Sequence, residues 1–411
     1  MKTIHLFILL LLTIPFTACQ EHPLKKEYPK SIGISIQETS AIEKQVLTLK
    51  ISELTAKYPD FNEQAFVVLN DNTEAASQAL DLNYDGTLDE IAFIYSTGKT
   101  EILYSPGEIK TREYESKSYA EISHKINGEF KKREYIGGEF KNTDYLKVPA
   151  EHTDHSWFIR YEGPGWESDN VGYRFYLDWR NAVDIFGKKT GEMVLHKVGL
   201  DGFDSYHEMS DWGMDILKVG GSLGLGSFGQ WNAGKANRVE KTDSLQSRII
   251  ASGPIHSIVK TDYFGWKIED KILDLNSYLS IDAHSRLTRS DLIFSEELSN
   301  ICTGIVKHDS AKVLRSSAAA DWQYLATYGP QSLNNDKLGM VVFYQKKDLI
   351  QLTEDAESHV LVLQPTENKV VYYFAAAWEL EPGGISTEEQ FENYLNNTLS
   401  ELNNSVSIKV E

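Results

Sequence analysis

Lys271-Ile272-Leu273-Asp274-Leu275-Asn276-Ser277-Tyr278-Leu279-Ser280-Ile281 is followed, after five residues, by Leu287-Thr288-Arg289-Ser290-Asp291-Leu292-Ile293-Phe294. Both runs read as β-strands, and the type recurs outward: toward the N-terminus at 255–259, 249–250 and 172–177, toward the C-terminus at 339–344, 359–363 and 370–376. Many strands at short spacing, with few helical periods between them, predict an all-β chain whose residues 151–411 form a large antiparallel β-sandwich of the supersandwich kind. The one helix expected is C-terminal. Ser386 with Glu389 reads as its capping box, and Phe391, Tyr394, Leu395, Leu399 and Leu402 recur at nearly helical spacing.

Nearer the N-terminus, Val46-Leu47-Thr48-Leu49-Lys50-Ile51, Phe66-Val67-Val68-Leu69 and Ile91-Ala92-Phe93-Ile94-Tyr95 are short, rich in β-branched or aromatic residues, and bounded by Asn, Asp and Gly. They predict a smaller β domain over residues 31–110. Residues 111–150, charged and Tyr-rich with a Gly137-Gly138 break, read as a connecting region. Within the small domain, Asp81-Leu82-Asn83-Tyr84-Asp85-Gly86-Thr87-Leu88-Asp89-Glu90 places oxygen side chains at alternate positions, like the first half of a calcium loop. The Glu expected at the twelfth position is Ala92, which excludes an EF-hand. Asp81, Asn83, Asp85 and Asp89 therefore read either as a structural calcium site or as a plain hairpin turn, and as scaffold in both cases.

The chain begins Met1-Lys2, continues with an apolar run over 4–14 and ends that segment with Phe16-Thr17-Ala18-Cys19. This is the pattern of a secretory leader, residues 1–18, and the Phe-Thr-Ala-Cys end resembles a lipobox with Cys19 as the lipidated residue. Residues 19–30, polar with two prolines, read as a tether. The expectation is an exported lipoprotein of the periplasm or outer membrane, touching the membrane through its lipid anchor alone. Residues 19–411 are too many for one small core, and 41% hydrophobic with 11% aromatic content suffices for a real one. With Cys19 acylated, Cys302 has no disulfide partner, and its apolar setting predicts a buried structural thiol. A net charge of −19 opposes nucleic acid and anionic lipid surfaces as partners, so an anionic ligand would require a local basic pocket.

Chemistry is expected where polar, aromatic and glycine residues crowd beyond the needs of turns. The first such segment runs from Arg160 through Trp166, Glu167 and Asp169 to Tyr176. On an extended strand Gly172, Arg174 and Tyr176 share one face and Tyr173 takes the other. A buried Arg174 needs an anionic partner, a protein carboxylate or a ligand's, and Glu167 or Asp169 would brace it. The second segment carries Tyr206, His207, Trp212, Asp215 and Lys218 and runs into a glycine-rich stretch, as a pocket wall would. The third is Gly253-Pro254-Ile255-His256. No Gly-x-Ser-x-Gly elbow, zinc helix or Walker loop is present, and the glycine run at 220–226 lacks the βαβ context of a dinucleotide site.

Trp166-Glu167-Ser168-Asp169 with Tyr173-Arg174-x-Tyr176, then Tyr206-His207-x3-Asp211-x-Gly213-x-Asp215-x2-Lys218-Val219-Gly220, Gly253-Pro254 and Ala377-Trp378-Glu379 resemble a family of lipoproteins from Bacteroidota polysaccharide-degradation loci. That family, long catalogued only as a domain of unknown function, includes an ulvan oligosaccharide dehydratase. The resemblance covers nearly everything from residue 60 onward. It departs at His256, where members often carry Arg.

The resemblance implies an anionic oligosaccharide substrate and loss of water from its non-reducing-end uronic acid, glucuronate or iduronate, to give a 4,5-unsaturated uronyl end. Removing the C5 proton piles negative charge on the adjacent carboxylate, which a cation must neutralise. Arg174 suits this role, with Lys218 as helper. His207 is the expected base, and Tyr173 or Tyr206 the acid that protonates the departing hydroxyl. Trp166 or Trp212 would stack on the sugar, with Tyr176 and His256 lining the site. Glu167, Asp169 and Asp215 would orient the Arg, Lys and His. No cofactor is needed for such chemistry. Two other readings stay open: a polysaccharide lyase that expels a sugar instead of water, and a non-catalytic glycan-binding lipoprotein.

Overall fold

The computed structural model describes residues 22–411 apart from 39–43, 108, 110–111, 203, 269–270, 317–319 and 405. Cys19 and the leader lie outside the described residues. The quoted runs are the centre of a nine-stranded sheet, antiparallel throughout, in which Lys271–Asp282 lies between His256–Ile268 and Leu287–Phe294. Along Lys271–Asp282 the buried positions alternate, with Leu273, Leu275, Leu279 and Ile281 facing the main core. That period of two lets one sheet serve two cores. On Lys337–Gln345, Met340 and Val342 join the main core while Val341 and Phe343 join a second core beneath the C-terminal helix.

Against the first face lie a six-stranded sheet, from Gly213–Asp215 through Val183–Lys188, Val171–Phe175 and Gly165–Ser168 to Ser118–Lys131 and Glu134–Thr143, and a five-stranded sheet centred on Ile301–Val306. Cys302 lies there, fully buried, and burial raises its thiol pKa well above the ordinary value. Against the other face the helix Glu388–Asn403 lays Phe391, Leu395 and Leu399. Its capping box is Thr387 with Gln390, one residue beyond the expected pair, because Thr387 is the last residue in extended conformation.

The N-terminal strands Gln45–Lys50, Phe66–Asn70 and Glu90–Tyr95 match expectation. Ile51, expected to end the first of them, instead starts a helix, Ile51–Lys57, whose two buried residues are too few to show a period. Two further departures are long-range. The last strand, Val406–Val410, pairs with Lys30–Glu38 of the small N-terminal sheet and not with the sandwich. The stretch read as a connector contributes Ser118–Lys131 to the six-stranded sheet, beside Gly165–Ser168.

In the Asp81 loop, Asp81 accepts bonds from the N–H groups of Tyr84, Asp85 and Gly86, Asn83 from Asp85, Asp85 from Thr87, and Asp89 from Leu82. Those bonds are what a self-supporting Asx turn requires. The three carboxylates do not converge: among the described residues the one group of three or more His, Cys, Asp or Glu ligand atoms within 4.8 Å lies elsewhere, at Asp154, His155 and Glu162.

Candidate active site

Arg174 and Asp184 are directly opposite one another on adjacent antiparallel strands, and Asp215 ends the next strand over. Arg174 is 2% exposed. Its Nε and Nη2 donate to Asp184 Oδ2 at 3.2 and 2.7 Å, Nη2 also to Asp215 Oδ2 at 2.5 Å, and Nη1 to the Tyr206 hydroxyl at 2.9 Å. The Tyr176 hydroxyl donates to Asp184. Arg174 is thus a buried guanidinium held by two carboxylates and a phenol, with Glu162 Oε2 a further 3.8 Å away. It fixes the groups that line the surface above it.

Those groups come from the turn Ser205–His207. Asp215 Oδ2 lies 3.3 Å from His207 Nε2, so one buried carboxylate holds both Arg174 and the imidazole. The His207 side chain is 41% exposed, and its ring centroid is 4.7 Å from that of Tyr206. Burial pushes the Tyr206 hydroxyl up to about 12, so it keeps its proton at neutral pH. Because that oxygen accepts from Arg174, its own proton is directed away from the guanidinium.

Beside Tyr206 is a narrow cleft of about 20 Å³, room for about one water, lined by Phe140, His155, Trp157, Tyr161, Glu162 and Gly202, among others. Four of these, His155, Trp157, Tyr161 and Glu162, have φ of 57°, 62°, 38° and 72°. Non-glycine residues in this region cost on the order of 1 kcal/mol or more each, and such strain collects at functional sites. Lys125 Nζ stands 5.3 Å from the Phe140 ring centroid and 5.9 Å from that of Trp157, a half-buried cation over two cleft-lining rings.

A second guanidinium backs the cleft. Arg180 pairs with Asp178, with Glu162 at 2.8 Å and with Asp154 at 3.2 Å, and lies 3.8 Å from the Tyr176 ring centroid. Asp154, His155 and Glu162 are the donor types a divalent cation takes, and Arg180 shares its single charge among Asp154, Glu162 and Asp178. Burial would raise the Glu162 carboxyl; Arg174 and Arg180 outweigh it and bring it down to about 2. The sign follows: the stability Glu162 adds is complete above the unfolded value of 4.5 and is lost as pH falls from there through about 2. Glu162→Gln is expected to flatten the acid side of the melting-temperature profile in that window, measured by thermal denaturation; an unchanged slope would count against the pairing.

Residues 36–408 match the family described as "Domain of unknown function (DUF4861)". The chain belongs to this family. No curated protein matches it. Among solved structures it is similar to an alpha-mannosidase from Enterococcus faecalis V583, at 10% identity and a TM-score of 0.42, over 92% of this chain and 46% of that one. A glycosyl hydrolase family 38 protein from Enterococcus faecalis gives 10%, 0.41, 92% and 47%. The chain spans about half the length of these structures, and a likeness at this level bears on neither fold nor activity.

Of the family-type residues singled out in the sequence, the site brings together Arg174, Tyr176, Tyr206, His207 and Asp215, while Trp212 stands nearby, edge-on to Phe186. The others belong elsewhere. Tyr173 is fully buried on the opposite strand face: its hydroxyl donates to the Arg286 carbonyl and accepts from Ala376 N–H. Trp166 stacks on it inside the core and donates to Thr288. Neither reaches a sugar, because the nine-stranded sheet covers that face. Glu167 does not brace Arg174; it is buried against Lys188 at 2.7 Å and accepts from the N–H groups of Val194 and Leu195. Asp169 holds His284. Lys218 is exposed and lines a separate small cavity with His308 and Glu357. His256, at the start of a strand, pairs with Asp282 at 2.5 Å, and its backbone meets Gln78 of the N-terminal region.

Sequence reasoning missed Asp184, Glu162, Arg180 and Lys125. Asp184 left a signal, a single carboxylate inside the apolar run Ala182-Val183-Asp184-Ile185-Phe186. Such a residue must find a cation when buried. Glu162 and Arg180 sit in irregular segments that have no period to read.

Proposed function

We propose that this protein removes water from the non-reducing-end uronic acid of ulvan-type oligosaccharides, leaving a 4,5-unsaturated uronyl end. The observation that carries the reading is the His207 imidazole, held by buried Asp215 and adjacent to the protonated Tyr206 at the edge of a strained cleft. His207 takes the C5 proton, and Asp215 stabilises the imidazolium that results. As the C4–O bond breaks, Tyr206 passes its proton to the departing oxygen, so that water and not hydroxide leaves. The charge building on the sugar carboxylate meets Lys125, in place of the Arg174 and Lys218 expected from sequence. The body is exported and tethered through Cys19.

Base and acid sit side by side on one turn, which suits a syn elimination. A glucuronate presents its C5 hydrogen and C4 hydroxyl on one ring face, whereas an iduronate presents them on opposite faces. Glucuronate-ended oligosaccharides are therefore expected to turn over about tenfold faster or more, read as growth of the ultraviolet absorbance of the conjugated product. The deciding experiment incubates the soluble protein with oligosaccharides ending in saturated uronic acid and follows mass. Loss of one water from an intact chain supports the reading. Two fragments would mean a lyase, and binding without any mass change would mean a glycan-binding protein.

A further inference from the structure

Tyr206, the acid of the elimination, is 2% exposed, and its hydroxyl lies against the buried guanidinium of Arg174. A sugar oxygen at the surface does not touch it. Arg174 Nη1 donates to the hydroxyl at 2.9 Å and fills one side of the oxygen, so the phenolic proton has to leave on the other. It needs a carrier.

The cleft beside Tyr206 has the size and the lining of one. At about 20 Å³ it admits one water and excludes a sugar ring. Tyr206 and Glu162 both line it. Glu162 Oε1 is occupied, by Arg180 Nη2 at 2.8 Å and by the His155 N–H at 2.9 Å. Oε2 has a different neighbour: Arg174 Nη1 stands 3.8 Å away, too far for a hydrogen bond, and is the same nitrogen that bonds the Tyr206 hydroxyl. A polar gap of that width is one that a water closes. Glu162 also acts on the hydroxyl directly, since after burial its charge is the next influence that raises the Tyr206 pKa. Burial opposes ionisation of Glu162 itself, but Arg174 and Arg180 outweigh it, so the carboxylate accepts bonds and does not donate them.

We propose that the cleft holds one water, positioned by Glu162, through which Tyr206 protonates the departing C4 oxygen. The water accepts from the Tyr206 hydroxyl and donates one hydrogen to Glu162 Oε2 and the other to the sugar oxygen. Three polar partners are the usual number for an enclosed water. As the C4–O bond breaks, the water passes its second hydrogen to that oxygen and takes the Tyr206 proton in its place. The sugar oxygen leaves as a new water, and the cleft water is restored. The phenolate left on Tyr206 keeps its bond from Arg174, the C5 proton rests on His207, and proton exchange with solvent at the exposed imidazole resets the pair. The inference rests on the dehydratase reading for its chemistry, and Glu162 is in it a positioning residue.

Diffraction fine enough to show ordered water tests the site by itself. A water within hydrogen-bond distance of both the Tyr206 hydroxyl and Glu162 Oε2 is expected, and the absence of one bonded to both would overturn the proposal. Kinetics tests the relay. Gly199 also lines the cleft, and a Cβ there would stand 3.3 Å from Tyr206 Cε1 and 3.5 Å from Tyr161 Cδ1, in the space of the water. Gly199→Ala is expected to lower kcat about tenfold or more and to leave KM nearly alone, because the sugar stays outside. Glu162→Gln, with a weaker acceptor, should lower kcat by less. Gly199 has φ of 71°, so alanine strains the backbone there, and a thermal melt checks that each variant folds.

A distorted site would lower turnover in any background. A lost relay would not: in Tyr206→Phe, which has no proton to pass, Gly199→Ala and Glu162→Gln should lower kcat no further. Equal losses with and without the Tyr206 hydroxyl would overturn the proposal while leaving the dehydratase reading in place. A parent that releases no water from uronate-ended oligosaccharides would instead remove that reading, and the relay with it.

Discussion

His207→Ala lowers turnover about a hundredfold or more, the usual scale for loss of a positioned general base, while the melting temperature stays close to the parent's. The second half of that expectation separates chemistry from folding. The side chain is 41% exposed, and removing it leaves Asp215 still bonded to Arg174. Asp215→Asn tests the same dyad from behind. The amide no longer stabilises an imidazolium, so kcat falls and the acid limb of the pH profile, set by protonation of the base, moves to lower pH, with little change in KM. Tyr206→Phe keeps the ring against Phe186 and removes the acid alone. If His207→Ala retains the parent's absorbance gain on uronate-ended oligosaccharides, the elimination scheme fails.

The largest effect on stability is expected from Arg174→Met. It leaves Asp184 and Asp215, each 1% exposed, without their shared cation. Breaking a buried pair in this way costs about 3–5 kcal/mol, because the carboxylates remain in a medium that solvates them poorly. Arg174→Lys should recover part of the loss, since it restores the charge but not the planar fork that bridges three partners. The pH dependence gives a sharper check. Even beside Arg174, burial and then the Asp215 charge push the Asp184 carboxyl up to about 6. Its folded value stands above the unfolded 3.8, so the folded state binds the extra proton between these values, and stability falls as pH rises through that window. Loss of the guanidinium raises the folded value further. The penalty of Arg174→Met should therefore shrink as pH falls from neutral to about 6, where the parent's Asp184 also takes its proton, and change little below that, measured by denaturation at a series of pH values. A penalty that is the same at every pH would show that the carboxylates are not the cause.

How much of this was legible beforehand depends on range along the chain. The strand runs at 271–281 and 287–294 were read within a residue of their ends, because alternation and turn residues are local. The placement of Arg174 with Tyr176 on one face and Tyr173 on the other also followed from the strand period and holds in the fold. The function of each face did not follow. Tyr173 and Trp166 looked like a sugar platform and are core, since nothing in their own segment says that the nine-stranded sheet will cover them.

The sequence alone determined that this is a β-rich chain with one amphipathic C-terminal helix, a buried Cys302 thiol and a cluster of chemically versatile residues at 160–218. Hydrophobic period and turn chemistry act over a few residues, and they are written in order along the chain. Only the tertiary structure decided that Glu167 belongs to Lys188, that Asp215 joins Arg174 to His207, and that Lys125 stands over the cleft. These choices pair residues up to 41 positions apart, or across separate strands. A charge selects its partner by distance and by burial, both of which arise when sheets close over one another and not before.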